Sequence, residues 1–155
     1  MSGAGNRVND AAGITLVGGK FDTGGLSETV GKLTLTGDST IDMGAGASIL
    51  HFADSHLETW TGILRIWNWS GNQNIGGGTD QLFFGNGSGI GLDANQLLQV
   101  KFYSDAGMTV LPYAPGFSAF TGGFGEVVPV PEPSSVATVT GLLGLIGWRE
   151  RRRRG

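Results

Sequence analysis

The sequence predicts an all-β fold: a Gly-rich parallel β-solenoid resembling a right-handed β-helix or, alternatively, an antiparallel β-sandwich, followed by a single C-terminal transmembrane helix. Three observations predict it. Glycine accounts for 29 of the 155 residues and charged residues for only 15%, a composition that favours short strands and tight turns over helices. Pairs of apolar residues separated by one residue recur along the chain. An uncharged run followed by a cluster of arginines ends it.

The apolar pairs predict the strands. Residues i and i+2 of a strand lie on the same face, so each pair would be buried while the residue between them faces water. The intervening residues are polar in several cases, as at Thr34, Arg65 and Lys101, and Gly, Asn and Asp fill the gaps. Seven pairs follow this pattern: Ile14/Leu16, Leu33/Leu35, Ile41/Met43, Leu50/Phe52, Leu64/Ile66, Leu82/Phe84 and Val100/Phe102.

The spacing of these pairs predicts the architecture. If Ile41/Met43 is a second strand within one coil, the other pairs begin at residues 14, 33, 50, 64, 82 and 100. A repeat of about 18 residues is typical of a solenoid in which each coil covers the apolar face of the next. Because the repeat is imperfect, an antiparallel sandwich or meander stays open. The two alternatives differ in whether successive coils pair in parallel.

The chain divides into five predicted segments. Residues 1–30 are interpreted as the remnant of an upstream β repeat and residues 31–128 as a solenoid-like body. Within the body, Asp93 is expected to cap a short helix over 94–99, and 125–130 is expected to form a last strand. The remaining segments are a Pro-rich linker over 129–135, a transmembrane helix over 136–148 and an Arg-rich cytoplasmic tail over 149–155.

The charge distribution excludes one class of partner. Residues 1–130 carry eleven acidic and five basic side chains, and residues 131–155 carry two acidic and five basic ones. An acidic body is unsuited to nucleic acid, which needs Lys and Arg opposite its phosphates. The chain has no cysteine, so disulfides and thiolate metal sites are excluded. No cofactor or metal is expected.

The C-terminal run is expected to meet a membrane. Together with Ser134 and Ser135, residues 136–148 make 15 uncharged residues. As a helix they would be about 22 Å long, which is shorter than the hydrocarbon core of a bilayer at roughly 30 Å. Interfacial and snorkelling side chains make up part of that difference, and the arginines keep their end cytoplasmic. An ordinary C-terminal helix with a solvated basic end is the alternative. The residues flanking the run are Trp148, Arg149, Arg151, Arg152, Arg153 and Arg154.

This order of features resembles a known sorting signal. Pro131, Glu132 and Pro133, the apolar run and the terminal arginines are similar to the PEP-CTERM signal of Gram-negative bacteria. The resemblance implies recognition by an exosortase, a membrane cysteine protease, with the lipid bilayer as a second partner. It also implies a precursor tethered to the inner membrane with its body in the periplasm, which later reaches the outer surface or the extracellular matrix.

The body resembles a second family. The stretches LTLTGDSTIDMGAGASILHFADS, TWTGILRIWNWSGN, GGGTDQLFFGNG and GLDANQLLQVKFYSDAG are similar to the C-terminal part of proteins with autotransporter-associated β-strand repeats. The resemblance spans roughly residues 30–128 and implies a Gly-rich β-solenoid without a defined activity. Such proteins need a leader for export, and MSGAGNRVNDAAG does not read as one. We therefore expect this chain to be the end of a longer protein.

Candidate chemistry within the body is sparse. Trp60, Trp67 and Trp69 lie within ten residues, and an exposed indole could stack on a sugar ring of an extracellular polysaccharide. His51 and His56 are spaced wrongly for a zinc-protease helix. Gly76–Asp80 and Gly85–Asp93 are only single, degenerate copies of a calcium-binding pattern.

The expected function is therefore non-enzymatic. The chain is predicted to be a structural or adhesive protein of the cell surface or extracellular matrix. One alternative is a carbohydrate-binding module that uses the surface Trp residues. Another is the C-terminal fragment of a β-helix enzyme acting on polysaccharide.

Overall fold

The computed structural model describes residues 7–85, 91–111, 113–119 and 125–131. Within these ranges the chain forms strands and one short helix, as its composition predicts. The elements are β1 (Ile14–Val17), β2 (Lys20–Asp22), β3 (Glu28–Val30), β4 (Leu33–Gly37), β5 (Ser39–Asp42), β6 (Ser48–Phe52), β7 (Leu64–Trp67), β8 (Asp80–Phe84), α1 (Ala94–Gln99), β9 (Val100–Phe102), β10 (Tyr113–Ala119) and β11 (Gly125–Pro131).

The strands form three sheets that the chain visits in turn. β1 and β4 make a two-stranded sheet; β2, β5, β7 and β9 make a four-stranded one. A five-stranded sheet has the order β10-β11-β8-β6-β3. Every pair among β1 to β9 is parallel. Trp60 adds a parallel bridge beside Leu35, so the two-stranded sheet is extended at that point.

The parallel register stacks apolar side chains into continuous columns. In the four-stranded sheet, Phe21 pairs with Ile41, Ile41 with Ile66, and Ile66 with Phe102. Ile41 and Ile66 have no exposed surface, and Phe102 is only 2% exposed. In-register stacking lets each layer cover the apolar surface of the next, which is the main source of stability for this arrangement. Of the seven apolar pairs predicted from the sequence, all members are buried in this core except Ile14, which is partly buried against it.

The repeat predicted from the apolar pairs differs from the sequence separation of paired strands. Ile14 pairs with Leu33, Ser39 with Leu64, and Leu64 with Val100, so the separation grows along the chain. From β4 onward, successive apolar pairs lie in different sheets. The spacing between one of these apolar pairs and the next is therefore not the sequence separation between two strands that pair with each other. Long connections between later strands, such as 85–99, absorb the growing offset.

The C-terminal end changes from parallel to antiparallel pairing. β11 pairs antiparallel with β8 through Gly125 and Glu126, and β10 pairs antiparallel with β11 along its whole length.

The helix predicted over 94–99 is confirmed. Asp93 is its N-cap and forms a capping box with Gln96.

The strand predicted over 125–130 is present as β11 and continues to Pro131, so it includes the first three residues of the segment predicted as a Pro-rich linker. Proline has no N–H, so it fits a strand only where that group would not bond to a neighbour. Pro129 lies opposite Pro115, and Pro131 opposite Tyr113. A pair of two prolines must be a non-hydrogen-bonded pair, so residues 129 and 131 direct their nitrogens away from β10. The pairing of β11 with β8 has already ended there, and the strand tolerates both prolines.

Candidate functional site

The outer face of the four-stranded sheet carries five charged side chains. Residues that alternate with the buried column point outwards, and the parallel register aligns them into two rows. One row is Lys20, Thr40, Arg65 and Lys101; the other is Asp22, Asp42 and Trp67. We refer to these seven side chains as the outer face.

Most of the charges on the outer face are paired within the chain. Lys20 Nζ lies 3.1 Å from Asp22 Oδ2 and 3.0 Å from Asp42 Oδ2. Hydrogen bonds to Asp42 and then to Asp22 raise the pKa of Lys20. Arg65 Nη2 donates to Asp38 Oδ2 at 2.8 Å. The Lys20–Asp42 pair joins β2 to β5, and the Arg65–Asp38 pair joins β7 to the bend before β5, so both help to hold the register.

Asp42 is the most constrained carboxylate of the outer face. Burial acts to raise its pKa, but hydrogen bonds from Asn68 and from Lys20 outweigh burial and lower it. Asn68 Nδ2 donates to Asp42 Oδ1 at 2.7 Å from a backbone position with φ of 55°. Asn tolerates this left-handed conformation better than most residues. Asp42 is therefore an ionised structural group that ties β5 to the end of β7.

The structure separates the three tryptophans predicted as sugar contacts. Trp60 and Trp69 are only 8% and 4% exposed, so their rings are not available to a ligand. Trp60 continues the column of Leu16 and Leu35, and its Nε1 donates to the carbonyl of Leu33 at 3.0 Å. Trp69 packs edge-on against Phe102 at 5.0 Å. The sugar-contact prediction fails for both because each fills a core position, which leaves Trp67.

Trp67 is half-buried on the outer face. Gly107, with φ of 94°, lies directly over its indole, and a Cβ at residue 107 would come within 2.7 Å of the ring. A larger side chain would displace the loop over 104–109. The indole Nε1 is buried and has no hydrogen-bond partner among the described residues. Trp67 therefore offers part of one ring surface beside Asp42.

A second candidate is a groove on the five-stranded sheet. It encloses about 590 Å³, and its lining includes Thr29, Lys32, His51 and Asp54. His51 stacks on Phe83 with ring centroids 4.4 Å apart, and burial lowers its pKa, which favours the neutral imidazole at pH 7. The mixed lining suits a small polar ligand.

Two charged groups in the lining of this groove, Asp54 and Lys32, bond to other side chains of the protein. Asp54 Oδ1 lies 2.6 Å from His56 Nδ1, and this hydrogen bond lowers the pKa of Asp54. Lys32 Nζ pairs with Glu58 at 3.1 Å. In the part of the chain that the structure describes, no three His, Asp or Glu side chains come together in a way that could hold a metal ion.

The glycine-aspartate stretches are structural in the described residues. The Asp80 side chain is fully buried and accepts hydrogen bonds from the N–H of Ser48 and from both the N–H and hydroxyl of Ser70. Asp93 caps α1. Protein donors reach both oxygens of Asp80, so this carboxylate locks the loop over 70–80 and does not face a ligand. Sequence reasoning missed this role because the donors lie 10 and 32 residues away.

The sorting motif and the membrane segment lie almost entirely outside the described residues. Pro131 ends β11. Glu132, Pro133, the run over 136–148 and the flanking residues Trp148, Arg149 and Arg151–Arg154 are not described. Among the residues that are, no helix has the length and apolarity needed to cross a bilayer.

The comparisons with known proteins return no match: no family model, no curated protein and no solved structure is similar to this chain.

Proposed function

We propose that the chain is an exported, membrane-tethered precursor of a structural or adhesive protein of the cell surface or extracellular matrix. Its body is a parallel β-solenoid, and its C-terminal segment is a PEP-CTERM signal read by an exosortase. One observation supports the structural role above the others. The inward side chains of β4 to β9 form columns that are almost completely buried, while most of the charged outward side chains bond to one another.

This organisation suits a rod-like scaffold. Parallel ladders with buried apolar columns resist local opening, because each inner strand is held on both edges by its neighbours. Asp38, Asp42 and Asp80, which could otherwise serve a ligand, hold loops and strands in place. A chain that uses its polar groups in this way gains stiffness and protease resistance rather than a reaction centre.

The sorting role depends on the order of the C-terminal features: Pro131-Glu132-Pro133, then the uncharged run, then the arginines. To test it, the chain is placed behind a secretory leader and produced in a Gram-negative host with and without an exosortase. We expect a shortened product in the envelope or medium only when the protease is present. A Glu132→Ala variant should accumulate as the uncut form.

A matched control separates motif recognition from membrane insertion. Glu150→Ala changes a carboxylate on the other side of the run and leaves the motif intact, so it should be cut normally. Cleavage of Glu132→Ala at the normal rate, or a full-length product found only in the cytosol despite the leader, would contradict the proposal.

A carbohydrate-binding role is the second candidate, and the position of Trp67 favours it. It is a half-buried indole on the outer face, next to Asp42 in the sheet register. If it stacks on sugar, Trp67→Ala should lose retention on an extracellular polysaccharide while Trp67→Phe keeps most of it. Equal retention of all three proteins would leave only the scaffold role.

A further inference from the structure

The first layer of the stack consists of β1, β2 and β3, one strand from each sheet. In this layer one edge of β2 has no strand beside it among the described residues. β2 is the terminal strand of the four-stranded sheet, and within residues 7–85, 91–111, 113–119 and 125–131 it pairs only with β5. The hydrogen bonds between β2 and β5 show which backbone groups of β2 face β5. The carbonyl of Gly19 accepts from the N–H of Thr40, and the N–H of Thr23 donates to the carbonyl of Asp42. In a parallel ladder alternate residues bond to the same neighbour. Residues 19, 21 and 23 therefore face β5, and the backbones of Lys20 and Asp22 face the open edge.

The residues on this edge are complementary to themselves. In an antiparallel pair of two β2 strands centred on Phe21, Lys20 of one copy lies opposite Asp22 of the other, and the reverse pair is identical by symmetry. Lys20 and Asp22 both direct their N–H and C=O outwards, so each such pair is a hydrogen-bonded pair. The alignment closes four backbone hydrogen bonds and two ion pairs. The side chains are 45% and 51% exposed and within reach of a partner.

We propose that this edge binds a second copy of the same chain, β2 against β2 in antiparallel pairing, about a two-fold axis through Phe21. The interface is isologous, so it closes at two copies and does not extend into a filament. Charge complementarity favours this register, because a shift of two residues would remove both ion pairs.

The end of the core next to β2 is incompletely covered. Phe21 is half-buried, whereas Ile41 and Ile66, its successors in the same column, have no exposed surface. Beside Phe21, a hollow of about 210 Å³ is lined in part by Val8 and Leu26. A second copy seated on β2 would cover this hollow and bury apolar surface that the first layer leaves in contact with water.

The other end of the stack is covered, which excludes a head-to-tail arrangement. The carbonyl of Phe102 in β9 accepts from the N–H of Leu111, and Tyr103 pairs with Val110. Residues 104–111 thus fold back over the edge of β9. With one edge closed and one open, pairing of two open edges is the arrangement that the four-stranded sheet allows.

Charge reversal tests the proposal directly. The full chain in detergent micelles is examined by sedimentation velocity over a range of concentrations. Lys20→Asp and Asp22→Lys each place like charges opposite each other, and each should weaken the dimer by at least about tenfold. The double variant restores both pairs and should restore the dimer. Raised salt should weaken the wild-type dimer. Lys101→Asp, on the covered edge strand of the same sheet, is the matched control and should leave association unchanged.

Disulfide cross-linking tests the register, and the natural chain has no cysteine to interfere. Cross-strand partners in a hydrogen-bonded pair have Cα atoms about 5.5 Å apart, within the range of a disulfide. An oxidised mixture of Lys20→Cys and Asp22→Cys should yield the mixed dimer, which retains one of the two ion pairs. Either variant oxidised alone should cross-link several-fold less.

Three outcomes would overturn the proposal. The first is a wild-type chain that stays monomeric at every concentration, as expected if this edge instead receives a preceding coil of a longer polypeptide. The second is a dimer that none of the charge variants affects, as expected for association through the C-terminal run. The third is preferential cross-linking of residue 20 to residue 20. None of these results bears on cleavage at the sorting motif, so failure here and failure of the proposed function are distinguishable.

Discussion

The two ends of the strand stack are built differently. At the C-terminal end each sheet has its own cover: α1 for the two-stranded sheet, residues 104–111 for the four-stranded sheet and β11 for the five-stranded sheet. At the other end, residues 7–12 run beside the first layer through bonds such as Gly31 N–H to the carbonyl of Ala12. The edge of β2 is left without a described partner. The C-terminal end of the stack is thus closed by segments that do not continue the parallel strands. The other end keeps a parallel edge strand, which remains able to pair with another strand.

Two phenylalanines at opposite ends of the stack show how the cover affects the burial of a side chain. Phe21 and Phe102 occupy the first and last positions of one column. Phe102 is 2% exposed and contacts Trp69, whereas Phe21 stays half-buried. Since the side chain and the sheet are the same, the difference in burial comes from the groups at the closed end, Trp69 and the segment 104–111.

The largest predicted effect comes from truncating these two phenylalanines. Phe102→Ala should lower the free energy of unfolding by about 3–5 kcal/mol, because it leaves a cavity in a closed core. Phe21→Ala should cost roughly half of that or less, since its ring is already partly solvated and water can fill the space. Chemical denaturation of both variants measures the difference. Equal losses would show that the two ends are equally closed.

The sequence predicts the closed end better than the open one. The apolar pairs Val100/Phe102 and Leu82/Phe84 and the cap Asp93 identify β9, β8 and α1. The sequence does not predict β2 and β3, because each buries a single apolar side chain, Phe21 or Val30, and no pair marks the strand. A strand this short with one inward position has no periodicity to detect.

The next prediction concerns α1, the cover of the two-stranded sheet. Gln96 is only 3% exposed; its Nε2 donates to the carbonyls of Ser55 and Glu58, and its side-chain oxygen accepts from the N–H of Asp93. Gln96→Ala removes all three bonds and leaves buried carbonyls unpaired, which should cost about 2 kcal/mol. Asn95→Ala, at the exposed neighbouring position, is the control and should change thermal stability little. Both substitutions raise helix propensity, so a loss as large in Asn95→Ala as in Gln96→Ala would contradict the role assigned to these bonds.

The candidate site is less predictable than the strands. The distances from Lys20 to Asp42 and from Arg65 to Asp38 depend on offsets of 22 and 27 residues, which no local pattern specifies. Of the three tryptophans, only Trp67 is on the outer face, because the register places Trp60 and Trp69 in the core. Alternation within a strand correctly places Trp67, while Trp60 and Trp69 lie outside the strands, where alternation predicts nothing.

A smaller effect is expected at Glu126, in the cover of the five-stranded sheet. The side chain is fully buried; it accepts from the N–H of Gly77 at 2.7 Å, and its Oε1 has no partner among the described residues. Burial raises the pKa of this carboxyl above its usual value, and the hydrogen bonds only partly oppose it. The folded state therefore binds a proton more readily than the unfolded state. This contribution to stability is complete below the ordinary pKa of Glu, and it is lost as the pH rises through the raised value.

Glu126→Gln keeps an acceptor for Gly77 without the charge. The variant should gain stability relative to the natural protein at pH 7 and show little difference at pH 4, as measured by denaturation at both pH values. Gln81→Glu is a useful opposite case, because it adds a second carboxylate next to Glu126 and should lose more stability at pH 7 than at pH 4. A gain for Glu126→Gln that is the same at both pH values would contradict the assigned role of ionisation.

The most delicate prediction compares neighbouring amides on the open edge and needs no substitution. Thr23 donates its N–H to Asp42 of β5, whereas the N–H of Asp22 faces outwards. In dilute solution the Asp22 amide should exchange with solvent at close to the rate of an unstructured chain, and the Thr23 amide should be protected. At the covered edge the amide of Leu111, bonded to Phe102, should also be protected. If two copies pair through β2, protection of Asp22 will rise with protein concentration while that of Leu111 stays constant. Because both amides are read in the same sample, a rise at both would indicate general aggregation, and a rise at Asp22 alone would locate the contact on β2.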